Sequence, residues 1–193
     1  MTEIRTIFEK GLVWDDHCGF SLQPGSALEP LLRPWRDAGV GYLSINIYYD
    51  PQPWTNAVEN IAILRRRLPD EVPYCQVVST VDEIDLVRAQ GGMAVTFDIE
   101  GMNALDGRLE LVQLYYDPDV DAAQGAQAHS GIMLDRNAYY WPAGCGYERP
   151  AQCLDVRRLP EVADELAKLG FDSGEITAVL GGNFHRIAEQ VWT

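Results

Sequence analysis

Met93-Ala94-Val95-Thr96-Phe97-Asp98-Ile99-Glu100-Gly101 is the stretch whose reading decides the fold. From residue 93 to 99 it is nearly all apolar, the pattern of a strand buried on both faces of a parallel sheet. It then delivers an acidic side chain, Glu100, at the strand's carboxyl end. An earlier stretch repeats the design. A strand predicted over 10–15 runs into Trp14-Asp15-Asp16-His17-Cys18-Gly19-Phe20 and brings His17 to its end. In a (β/α) barrel that end of the strands is where active sites are built.

The segments between these two stretches alternate in type. A helix is expected over 30–38, with Leu31, Leu32 and Trp35 at helical spacing and Gly39 as its stop. Residues 40–49 alternate and are rich in β-formers, so they read as a second strand. An amphipathic helix follows over 54–67 and a third strand over 74–79. Thr80 and Glu83 have the spacing of a capping box for a helix over 81–90, which Gly91-Gly92 ends. Strict strand–helix alternation of this kind predicts βαβ units and an α/β fold with a parallel sheet.

After residue 100 the rhythm breaks. A helix is expected over 109–116, a linker around 118–128 and a short last strand over 130–135. Helices follow over 159–169, with Pro160 in the first turn, over 173–180, and from 183 to 191 after Gly181-Gly182.

The chain has 193 residues, which suits one domain, and a net charge of −14. An acidic surface repels phosphate backbones and anionic membranes, so no nucleic-acid or membrane partner is expected. No apolar stretch is long enough to span a bilayer and no secretory signal is recognisable, so the expected location is cytoplasmic. The four cysteines, Cys18, Cys75, Cys145 and Cys153, lack zinc-knuckle or CxxC spacing and are expected to be reduced. Cys18 beside His17 reads as a thiol ligand or, more simply, as a small buried strand residue.

Hydrolytic zinc needs neutral imidazole and carboxylate ligands, with one position left for water. His17 and Glu100 are the best candidates, and Asp15 is a further ligand or an orienting group for the ring. Asp98 alternates with Glu100 and shares its face. Simpler readings stand beside these: a half-buried histidine satisfied by backbone, and a capping or salt-bridged acidic pair. Asp135 also follows an apolar run and is a third acidic group for the rim. Asp15, Glu100 and Asp135 without metal would make an acid–base hydrolase. His129 next to Ser130 lacks the geometry of a nucleophile pair, and no GxSxG elbow is present. Gly181-Gly182-Asn183 reads as a tight corner between helices or, less simply, as an anion site at a helix start.

In order, these motifs resemble the membrane (renal) dipeptidases, zinc metallopeptidases of the amidohydrolase-like TIM-barrel group. The opening Asp-x-His-x-Asp motif is matched by Asp15-Asp16-His17-Cys18-Gly19, the Glu-Gly motif by Glu100-Gly101, the last-strand Asp by Asp135, and the closing Gly-Gly-Asn-Phe by residues 181–184. The resemblance covers roughly residues 8–117 and 129–192. It implies hydrolysis of a dipeptide, with two zinc ions bridged by Glu100 holding the attacking hydroxide. His17 would bind the first zinc, and Asp135 would handle the proton or the substrate amine.

The chain departs from the family at Gly19, where the motif has Asp. It has three histidines, His17, His129 and His185, whereas the family carries two further zinc-ligand histidines between the Glu-Gly motif and the final Asp. A full barrel takes about 250 residues, with roughly 200 as a lower bound. The expectation is therefore a truncated TIM barrel with five of the eight strands. Residues 1–117 would supply the first βα units, 118–128 the deletion junction and 129–193 the end of the barrel. Its open sheet edge would invite a homodimer. The alternative function is a catalytically inactive, dipeptidase-like remnant that works in ligand binding or assembly.

Overall fold

A computed structural model describes residues 12–19, 25–49, 53–100, 102–106 and 156–192. The helix, linker and strand expected over 109–116, 118–128 and 130–135 lie outside the described residues, as do His129 and Asp135.

Four parallel strands form one sheet: β1 (Trp14–Cys18), β2 (Tyr42–Tyr49), β3 (Cys75–Val77) and β4 (Met93–Glu100). Their order is β1-β2-β4-β3, and among the described residues the sheet is open. This is the α/β, incomplete-barrel class expected. The order has one feature that alternation does not show: β4 pairs directly with β2, and the three-residue β3 is pushed to the edge. The helices are α1 (Glu29–Asp37), α2 (Thr55–Glu71), α3 (Val81–Ala89), α4 (Leu159–Lys168), α5 (Ser173–Thr177) and α6 (Asn183–Val191).

Several local expectations hold. Gly39 takes a left-handed φ of 83° just after α1, a conformation that suits glycine. Thr80 and Glu83 make both bonds of the capping box on α3. Boundaries differ elsewhere: the strand expected over 74–79 is Cys75–Val77, and the helix expected over 173–180 is α-helical only to Thr177. β1 starts later than expected and runs through His17 to Cys18. α2 continues past Arg67 to Glu71, with Pro69 inside its last turn. The Arg67 guanidinium bridges to Glu71 one turn on, and Glu71 also accepts from the Leu28 backbone N–H at 3.1 Å. Those bonds hold the last turn in place and tie it to the start of α1.

The two faces of the sheet differ. One carries Leu43, Ile45, Val95 and Phe97 and packs against Leu32 of α1 and Leu64 and Leu68 of α2. Each such fully buried side chain contributes roughly 1.5–3 kcal/mol. The other face carries Tyr42, Ser44 and Asn46 of β2 and Ala94, Thr96 and Asp98 of β4, aligned pair by pair. At the amino end of this face Trp14, Tyr42 and Ala94 are sealed by Ile84 and Val87 of α3 and Ala188 of α6. Trp14 stacks on Tyr42 with ring centroids 3.7 Å apart. At the carboxyl end the same face turns polar.

The chain after α5 makes a π-helical turn, Ala178–Gly182, which brings Gly181 against β1. A Cβ at Gly181 would press on the Leu12 carbonyl and lie 2.8 Å from Trp14 Cβ. Phe184, three residues on, has its ring centroid 6.1 Å from that of Trp14. Gly181 is thus the close-packed point of this corner, whereas Asn183 and Phe184 stay exposed.

Candidate functional site

The site begins with an irregularity in β1. Trp14 and Asp15 pair with Tyr42 and Leu43, but Cys18 pairs with Ile45, so β1 carries one extra residue in between. Such a bulge re-aims side chains. Here Asp15 turns to α1, where Trp35 Nε1–H donates to its Oδ2 at 2.8 Å. Its Oδ1 accepts from the His17 backbone N–H at 3.2 Å, which braces the bulge. His17, two residues on, reaches the polar face.

There the His17 Nδ1 lies 2.8 Å from Asp98 Oδ1. Asp98 is fully buried, and its Oδ2 accepts from the buried Ser44 hydroxyl at 2.8 Å. A buried carboxylate held from both sides costs far less than an unpaired one. The other ring nitrogen, Nε2, faces Asn46 Nδ2 at 3.5 Å and Glu100 Oε2 at 3.6 Å. His17 and Glu100 remain 20% and 25% exposed, so this edge of the ring is the accessible one.

The hydrogen bond to Asp98 holds the imidazole above its ordinary range, outweighing the downward pull of burial, and the charges of Asp98, Glu100 and Asp15 add to the rise. Asp16 acts on the pair through its charge and is itself hydrogen-bonded to Trp14. Its Oδ1 accepts from Trp14 Nε1–H at 3.0 Å, and burial raises its carboxyl despite that bond. Asp15 and Asp16 of β1 and Asp98 and Glu100 of β4 place acidic groups around the ring, a field that favours a cation.

The sequence candidates are placed as follows. His17 and Glu100 come together. Asp15 has both oxygens engaged by Trp35 and the backbone of His17. Cys18 is buried, and burial pushes its thiol well above the ordinary range, so it is a core residue. His185 lies on α6 with Nε2 3.2 Å from Asp85 of α3, away from the site. Ser44, Asn46 and Trp35 escaped the sequence reading as site residues. Ser44 and Asn46 did carry a signal: as polar residues two apart within an apolar strand, they share one face.

Zinc with bonds of about 2.0–2.2 Å in tetrahedral geometry sets its donors roughly 3.3–3.5 Å apart. The Nε2–Oε2 separation of 3.6 Å is close to that span and too long for a hydrogen bond. The pair therefore fits two ligand positions. Among the described residues no group of three or more His, Cys, Asp or Glu is placed to hold a metal ion, so the set is not complete there.

No protein-family model matches the chain, and no curated protein matches it. Among solved structures it is similar to an amidohydrolase from Pseudomonas aeruginosa, with a TM-score of 0.55 and 15% sequence identity. That likeness is one of fold. The match covers 87% of this chain and 46% of that one, so the chain spans less than half of that protein's length. In a (β/α) barrel active sites form at the carboxyl end of the strands, the end that here carries His17, Asp98 and Glu100. No helix among the described residues is long and apolar enough to cross a membrane.

Proposed function

We propose that the chain is a metal-dependent hydrolase of amide bonds, and more narrowly a zinc dipeptidase. The observation that supports this best is the 3.6 Å approach of His17 Nε2 and Glu100 Oε2 at the carboxyl end of a parallel sheet. The amidohydrolase-like fold and the dipeptidase-like order of motifs point the same way. Zinc bound there would supply a Lewis acid for an amide carbonyl. His17 and Glu100 would hold it, and Asp98 would keep the ring in place. Asp135 is assigned the proton or the substrate amine by resemblance alone. The substrate would be a dipeptide or a similar small amide.

A second reading has its own observation. With two donors and no third among the described residues, the chain would be an inactive relative that binds small ligands or assembles as a homodimer through its sheet edge.

Dipeptide turnover separates the two. The enzyme reading expects hydrolysis that chelators abolish, that zinc restores, and that His17→Ala and Glu100→Gln remove. Turnover indifferent to chelators would favour acid–base hydrolysis without metal. No turnover at any zinc concentration would favour the binding role.

A further inference from the structure

We propose that Asp98, clamped by Ser44, is a positioning residue that fixes His17 with its proton on Nδ1 and so presents an unprotonated Nε2 beside Glu100. The inference concerns the metal-free protein, and its use rests on the metallohydrolase reading above.

Two independent sets of bonds lead to it. The first is on the Nδ1 side. Asp98 Oδ1 is 2.8 Å from Nδ1, while Oδ2 accepts from the Ser44 hydroxyl. A carboxylate can only accept, so the nitrogen facing it carries the hydrogen. The second is on the Nε2 side. The Tyr48 backbone N–H donates to Asn46 Oδ1 at 3.0 Å, which fixes which end of that amide is which. The remaining end, Nδ2, is a donor and points at Nε2 from 3.5 Å. A ring nitrogen facing a donor is favoured as the acceptor. Glu100 Oε2, at 3.6 Å, is too far to draw a proton onto Nε2 by hydrogen bonding. Both sides specify the same tautomer.

The bulges make this arrangement possible. The extra residue in β1 brings His17 over Asp98, and a second irregularity in β2, between Asn46 and Tyr48, lets the Tyr48 N–H turn back onto the Asn46 side chain. Carboxylate partners of this kind orient ligating histidines, and their loss typically weakens metal binding by about 10–100-fold.

The test is nitrogen-15 NMR of the His17 ring in metal-free protein, at a pH where the ring is neutral. His17→Gln identifies its signals among the three histidines. Wild type is expected to show a protonated Nδ1 and a bare Nε2. Asp98→Leu, close in shape but unable to accept, is expected to move the proton towards Nε2. Asp98→Asn keeps an acceptor and is expected to restore the wild-type pattern. Ser44→Ala, a milder change that spares the fold if Asp98→Leu does not, is expected to loosen the ring and mix the tautomers. Zinc affinity measured by calorimetry should fall by about 10–100-fold in Asp98→Leu. A wild-type ring protonated on Nε2, or a tautomer indifferent to both Asp98→Leu and Ser44→Ala, would overturn the inference. If wild type binds no zinc, the proposed function fails while the tautomer result still decides this inference.

Discussion

His17 Nε2 and Glu100 Oε2 lie 3.6 Å apart although their strands are not neighbours, because β2 runs between β1 and β4. The imidazole spans that strand from a bulge and is anchored on the far side by Asp98. One consequence is that the site depends on the packing beneath it. Another is that its protonation is coupled to folding.

The packing consequence is tested at Gly181. The backbone of the π-helical turn approaches β1 so closely that a methyl group there meets the Leu12 carbonyl and Trp14. Gly181→Ala is expected to destabilise the protein by roughly 1–3 kcal/mol. Gly182→Ala, whose nearest neighbour would be the Thr177 carbonyl at 3.2 Å, should cost less. Denaturant melts of the two variants check this, and equal costs would contradict the close approach.

Protonation is tested by melting metal-free protein across a pH series. The bond to Asp98 raises the folded-state value of His17 above its unfolded value of about 6.5. The folded state then binds the proton more tightly. The stabilisation is complete below about pH 6.5 and is lost as the pH rises through the folded value. His17→Gln should flatten the decline in that window. A variant curve parallel to wild type would mean that the Asp98 bond contributes nothing to stability.

Asp16 gives a prediction of the opposite character. Burial raises its carboxyl; the Trp14 bond, next in weight, lowers it, the repulsion of Asp98 and Asp15 adds to the rise, and His17 acts against it. A raised folded value makes the ionised form a cost at neutral pH, one that is relieved as the pH falls through that value. Asp16→Asn keeps an acceptor for Trp14 and removes the charge. It is expected to raise the melting temperature at pH 7 and to leave it little changed in acid. A lower melting temperature at pH 7 would contradict this account.

Much of the fold was legible because local chemistry set it. The apolar run through Met93–Glu100, the Thr80–Glu83 box and the stop at Gly39 each act within a few residues. The pairing of β4 with β2 was not legible, since strand adjacency depends on contacts some fifty residues apart in the chain. Nor was the bulge: Asp15, Asp16 and His17 include no glycine or proline to mark it. For that reason Asp15 read as a companion of His17, whereas its carboxylate is held by Trp35 of α1. His17 and Glu100 were legible as strand-end residues. Their partners Ser44 and Asn46 were not, because a polar residue in a strand is ordinary until the opposite strand is known.

The most direct measurement is zinc per chain by elemental analysis, on protein purified without chelators and reconstituted, with His17→Ala as the control. The account predicts bound zinc in the wild type and its loss in the variant. Zinc at background level in the wild type, or equal zinc in both proteins, would contradict the claim that His17 and Glu100 form a metal-binding pair.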